Sequence, residues 1–156
     1  MKYKVVVFGT KQSTAYIINK FKNDIDLVVT INNTNSYNIS GKGDIGISYG
    51  WQRIIPQSIL NEFKHGVFGT HASPLGLPYG KGRSPLNWSI IRDFRQVYFN
   101  FFKYVAKADS GMIYSTTKFE INDWDTIESI KEKDLIVTEN EVGKLINDYK
   151  NNDIKL

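Results

Sequence analysis

The sequence predicts an α/β fold: one domain built on a mostly parallel central sheet with an antiparallel addition. Two stretches near the start, KVVVFG (residues 4–9) and DLVVTI (residues 26–31), are β-branched and apolar at consecutive positions, as befits strands covered on both faces. A helix-patterned segment lies between them, so the first thirty residues read as a right-handed β-α-β unit. Further along, QVYFNFFKY (residues 96–104) and residues 112–121 are strand-like and joined so closely that only antiparallel pairing can connect them. Strands alternating with helices around such a sheet define a Rossmann-like, three-layer arrangement.

The elements follow in order. Ser13 is the expected N-cap of a helix over residues 13–22, whose apolar face is Ala15, Ile17, Ile18 and Phe21. Residues 32–43, rich in Asn with two glycines, read as a loop. Strand character returns over 44–50, then a turn over 51–56 leads to a helix at 57–63. A fourth strand over 67–70 is expected to break at Gly69 and to present His71 and Ser73 beyond the break, ahead of a loop dense in Gly and Pro. Ser84 and Pro85 open a helix over 85–93, with Trp88, Ile90 and Ile91 expected in the core. Asp125 and Glu128 form a capping-box pattern for a helix over 123–133, and a last helix is expected over 138–149. Residues 1–150 make the domain, and 151–156 form a frayed tail.

Composition narrows the function. The chain has 156 residues, 41% hydrophobic and 23% charged, which suits an ordinary globular chain rather than a disordered one. Its net charge of +4 and pI of about 9.1 permit an anionic partner, but Lys and Arg are scattered as on a solvated surface, which argues against nucleic acid. With no cysteine, disulfides, thiolate metal sites and cysteine nucleophiles are excluded, and no metal site is expected. The apolar run in MKYKVVVFGT is too short for a secretion signal and nothing approaches a membrane span, so a cytoplasmic location and no membrane partner are expected.

The functional residues gather around HASPLGLPYGKGRSPLNWSII, where three glycines and three prolines follow one histidine. This stretch, with KADSGMIYSTTKFEI and DIGISYGWQRIIPQSIL, resembles the signature segments of the folate-dependent formyltransferases, the family that includes glycinamide ribonucleotide, methionyl-tRNA and nucleotide-sugar enzymes. The resemblance runs from about residue 44 to residue 121, beginning with KVVVFGT upstream, and implies a shortened formyltransferase fold over residues 1–150. It departs from the family at Gly69, where an Asn precedes the catalytic His by two residues, in a longer loop before Arg83, and in a shorter chain between residues 31 and 44.

The resemblance implies His71 as proton carrier and oxyanion donor and Asp109 as the carboxylate that orients it, with Thr70 or Ser73 supplying the donor that Gly69 lacks. The readings without chemistry are a core histidine and an Asx turn before Ser110 and Gly111. It also implies 10-formyltetrahydrofolate as formyl donor, held by Tyr49, Trp51, Arg53, Ile54, Ile55, Pro56 and Ala108, although Trp51 also reads as ordinary core. Gly9, Thr10, Lys81 and Arg83 would contact the acceptor, while residues 9–13 equally read as a plain strand-to-helix turn without a complete phosphate-loop motif. The wording GRSPLNW followed by KADSG is nearest to enzymes that formylate an amino sugar on a nucleotide. A folate- or nucleotide-binding protein without turnover is the alternative that Gly69 raises, a relative of the methionyl-tRNA or glycinamide ribonucleotide formyltransferases is another, and a homodimer is expected if the aromatic strand leaves an apolar patch.

Overall fold

A computed structural model describes residues 3–23, 25–32 and 43–156. The loop expected over residues 32–43 lies, but for its ends, outside them. The chain divides into two compact units, Met1–Gly69 with Lys103–Ala108, and Thr70–Phe102 with Asp109–Leu156.

The first unit contains β1 (Tyr3–Gly9), α1 (Lys11–Phe21), β2 (Ile25–Asn32), β3 (Ile45–Tyr49), α2 (Gln57–Leu60) and the first residues of β4 (Val67–Ser73). Its strand order is β2-β1-β3-β4, parallel throughout. The consecutive apolar run of β1 is explained by that central place: Val5, Val6, Val7 and Phe8 are all buried. Thr14, Ile17 and Phe21 recur at helical spacing and give α1 its buried face. The start of α1 differs from expectation. Thr10 is the N-cap, and Ser13 is its capping-box partner three residues on, so the helix begins two residues earlier than its serine suggests. The helix expected over 57–63 ends at Leu60, and Phe63 reaches the core from the turn beyond it. Val6, Phe8, Ile55, Leu60, Phe63 and Val67 form that core, with Trp51, Ile59 and Tyr104 packed against it.

β4 is the main departure in this unit. Rather than breaking at Gly69, the strand continues to Ser73, so His71 and Ser73 are strand residues. Gly69 is a packing requirement and not a punctuation mark: a Cβ there would run into the ring and hydroxyl of Tyr104. His65 is half-buried in the turn before β4, and burial together with the Lys64 charge lowers its pKa.

The second unit contains the rest of β4, α3 (Pro85–Ile91), β5 (Gln96–Lys103), β6 (Ile113–Glu120) and α4 (Ile127–Lys150), with the strand order β4-β5-β6. β5 and β6 pair antiparallel, from Gln96 opposite Glu120 to Phe102 opposite Ile113, as their short connection requires. The sheet is therefore mixed and mostly parallel, a Rossmann-like α/β architecture as expected.

Helix details were less legible. Ser84 adopts a left-handed φ of 53° and makes no capping bond, so α3 rests on Pro85 at its first turn. Trp88 and Ile91, expected in the core, are 50% and 68% exposed, and the buried residue of α3 is Ser89. The two helices expected near the C-terminus are one helix of 24 residues. No Pro interrupts it, Gly143 is accommodated within it, and the Thr138 hydroxyl donates to the Asp134 carbonyl at 2.8 Å within the helix. Its cap is Thr126 with Ser129. Asp125 instead accepts from the Asn122 N–H at 2.7 Å and pairs with Lys133 at 2.6 Å, which holds its pKa down at about 2. Among the described residues no helix is long and apolar enough to cross a membrane.

Candidate active site

The carboxyl ends of the strands carry the candidate residues. In the first unit the order β2-β1-β3-β4 reverses direction at β1, so the turns after β1 and β3 flank a topological switch point, where open α/β sheets bind ligands. Gly9 is in register with Tyr49 across that point, and only a glycine lets the Tyr49 carbonyl approach so closely. The Ser13 hydroxyl donates to the same carbonyl at 2.8 Å. The Thr10 hydroxyl and N–H serve the helix cap, which makes this segment a well-tied strand-to-helix turn.

The segment after β3 divides its side chains. Ile55 is core, and Trp51 lies edge-on to Phe8 with ring centroids 5.7 Å apart. Ile54 is 62% exposed, and Arg53 and Pro56 are exposed beside it. Ala108, also exposed, belongs to this unit.

In the second unit two loops converge on His71. Its Nδ1 lies 3.4 Å from Asp109 Oδ1, and its Nε2 lies 2.7 Å from the carbonyl oxygen of Gly80. The ring is 8% exposed and the Asp109 side chain 27%, so the pair has one covered end and one open end. Asp109 holds a left-handed φ of 46°, an uncommon conformation for a residue with a Cβ, and its Oδ2 accepts from the Gly82 N–H at 3.1 Å. Lys81 donates to the Ser110 hydroxyl at 2.9 Å, tying the two loops again. Arg83 is exposed on the same loop.

Ser73, two residues beyond His71 on β4, is fully buried, and its Oγ has no hydrogen-bond partner among the described residues. Its side chain packs against the Cα of Gly80, where a Cβ would collide with it. Strand alternation puts Thr70 on the opposite face from His71 and Ser73. The structure thus brings together His71, Asp109, Lys81 and the loop bearing Ser73's contact. Asn100 escaped the sequence reading: a buried amide on β5, it accepts from the Leu77 N–H at 2.8 Å and donates to Thr116 Oγ1 at 2.9 Å. Its signal was present, as an amide set between Phe99 and Phe101. No group of three or more His, Cys, Asp or Glu among the described residues is arranged to hold a metal.

The environment fixes what this pair can do. Gly80 O can only accept, so the Nε2 contact requires a proton on that nitrogen, and a neutral ring then presents Nδ1 as a base facing Asp109. A proton arriving at Nδ1 makes an imidazolium beside a carboxylate. That is the geometry of a proton carrier with a charge partner.

Comparison with known proteins agrees with this reading of the fold. No protein-family model matches the chain. Over 86 residues it is 35% identical to a methionyl-tRNA formyltransferase of Mycoplasma genitalium, a match spanning 54% of this chain and 27% of that one. It is 34% identical over 92 residues to the bifunctional polymyxin resistance protein ArnA of Wigglesworthia glossinidia brevipalpis, covering 59% of this chain and 14% of that protein. Among solved structures, the formyltransferase PseJ from Anoxybacillus kamchatkensis, in complex with a UDP-linked formamido sugar and tetrahydrofolate, superposes with a TM-score of 0.73 at 22% identity over 97% of this chain and 79% of its own. The chain is a relative of the formyltransferases. The matched stretches span about a quarter or less of the curated relatives' length.

The exchange at Gly69 can be tested within the first unit. Gly69→Ala should destabilise by about 1–3 kcal/mol, the usual cost of overpacking. In a Tyr104→Ala background the same change should be nearly neutral, and equal costs in both backgrounds, read from denaturant midpoints, would refute the packing account.

Proposed function

We propose that this chain transfers a formyl group from 10-formyltetrahydrofolate to a primary amine, in particular an amino group on a nucleotide-linked sugar. The observation that carries the reading is the His71–Asp109 pair, with the far nitrogen of the imidazole held by Gly80 O. The donor, when bound, supplies an activated formyl carbon on nitrogen. His71 Nδ1 takes the proton that the attacking amine must lose and returns it to the departing folate nitrogen, so that the new C–N bond forms as the old one breaks and no net proton is consumed. Asp109 stabilises the imidazolium between those events. Ser73 Oγ, buried on the same strand face and without a partner among the described residues, is the donor offered to the carbonyl oxygen as it gains charge.

The residues present suit such a donor. Exposed Ile54 and the backbone of residues 51–56 offer an apolar edge at a switch point, and Arg53 offers a cation for an acidic tail. Lys81 and Arg83, on the loop that reaches Asp109, suit a nucleotide's phosphates. The UDP-sugar bound by the similar PseJ structure supports this class of acceptor, while the sequence similarity to methionyl-tRNA formyltransferases supports a charged tRNA as the second reading.

The test is formyl transfer from 10-formyltetrahydrofolate to a panel of nucleotide-linked amino sugars, with methionyl-tRNA and glycinamide ribonucleotide alongside. Turnover on a sugar alone bears the proposal out. Turnover on methionyl-tRNA alone moves the acceptor, and folate binding without turnover on any amine ends the enzymatic reading. Ser73→Ala should lower the rate constant about 10²-fold if its hydroxyl meets the developing charge. An unchanged rate removes Ser73 from the mechanism.

A further inference from the structure

A line of contacts leads from the edge strand to the imidazole. Thr116 Oγ1 on β6 accepts from Asn100 Nδ2 at 2.9 Å, and Asn100 Oδ1 on β5 accepts from the Leu77 N–H at 2.8 Å. Because an N–H can only donate, the Leu77 bond settles which end of the amide faces the loop. Gly76, at a φ of 65°, lies against Tyr98 and Asn100 with no room for more than a van der Waals contact. From that anchor the chain runs three residues to Gly80, whose carbonyl meets His71 Nε2 at 2.7 Å, and two more to Gly82, whose N–H meets Asp109 Oδ2 at 3.1 Å. Both reacting side chains therefore take their orientation from backbone groups of one loop, and the side-chain bond fastening that loop to the sheet is made by Asn100.

β5 gives a second reason to assign Asn100 a task. Phe99, Phe101 and Phe102 around it are buried, and Asn100 is 3% exposed, so an amide here forgoes water and is kept where an apolar side chain would fill the strand. We propose that Asn100 is a positioning residue for formyl transfer: by holding Leu77 it keeps the Gly80 carbonyl on His71 Nε2, which confines the neutral ring to the tautomer whose free base is Nδ1, beside Asp109. Without that hold the ring exchanges between tautomers, and the fraction with Nδ1 unprotonated and aimed at the reacting amine falls.

The proposal rests on His71 as the proton carrier, and the experiment separates the two. The chain has two histidines, so the imidazole nitrogens are assignable by ¹⁵N NMR with His65→Gln as reference. The wild type should show the Nε2–H tautomer at residue 71. In Asn100→Leu the ¹⁵N shifts should move toward a tautomer mixture, kcat should fall ten- to a hundred-fold, about the cost of a misplacement near 1 Å, and KM for 10-formyltetrahydrofolate should stay within about two-fold. Thr116→Val, which leaves the Leu77 bond in place but loosens the amide, should show the same changes more weakly, and it decides the matter if Asn100→Leu does not fold. A folded variant with lowered kcat and an unchanged His71 tautomer would reduce Asn100 to a structural residue and overturn the proposal, as would unchanged kcat in both variants. If His71→Gln retains full turnover while the tautomer still shifts in Asn100→Leu, the assigned chemistry fails and the loop linkage survives.

Discussion

His71→Gln should lower the rate constant for formyl transfer by about 10²- to 10⁴-fold, the range for removal of a positioned acid–base group, with circular dichroism and melting temperature close to wild type. Glutamine is chosen because its amide can still donate to the Gly80 carbonyl that His71 Nε2 meets at 2.7 Å, so the loop keeps its anchor while the titrating nitrogen is gone. Asp109→Asn should lose a similar factor by another route. Its side-chain oxygen still accepts from the Gly82 N–H, but the charge that stabilises a protonated ring is absent. The double variant should be little slower than either single one, because the two groups act as a unit, and rates that multiply would argue that they act apart. Wild-type turnover in either single variant would remove that residue from the mechanism.

The second large effect concerns stability and has nothing to do with the site. Asp134 sits on α4, almost completely buried, with Oδ1 lacking a hydrogen-bond partner among the described residues, and burial raises its pKa from 3.8 to about 7. Below pH 3.8 folded and unfolded chains both carry the proton, and this group's contribution is fully present. Between that value and about 7 the unfolded chain has released the proton and the folded chain retains it, so stability falls as pH rises. Three pH units at about 1.4 kcal/mol each make the loss on the order of 4 kcal/mol, complete above neutrality. Asp134→Leu should therefore be more stable than wild type at pH 8 and should lack this part of the decline between pH 4 and 7, measured as denaturant midpoints. If variant and wild type decline in parallel, the raised pKa is wrong.

The sequence reading succeeded where a local pattern had a single physical cause. Consecutive Val and Phe in β1 have no explanation other than burial on both faces, and the short span from Lys103 to Ile113 permits only an antiparallel return. His71 and Asp109 were legible as a candidate pair because each stands at the edge of a stretch crowded with glycine, proline or polar residues. The misses share a different cause, since each depends on what a residue touches once the chain is folded. Gly69 reads as a strand break until Tyr104 is seen over its Cα. Trp88 reads as core from its hydrophobicity, whereas it is half-exposed with the Arg92 guanidinium 5.3 Å from its ring centroid. The helix expected to begin at Thr138 is a continuation of α4, and the bond from the Thr138 hydroxyl to the Asp134 carbonyl lies within it. Asn100 was passed over as an oddity in a strand, although a buried amide always asks what it bonds.

The atom that meets His71 Nε2 belongs to a peptide group, and this separates two kinds of evolutionary freedom. No substitution can delete that oxygen, and at position 80 the contact with Ser73 leaves glycine as the residue that fits. Exposed neighbours such as Tyr79, Lys81 and Arg83 have no such duty toward the ring. Substitution of those side chains would change the outer face of the loop while the carbonyl that meets the imidazole stays where the backbone puts it.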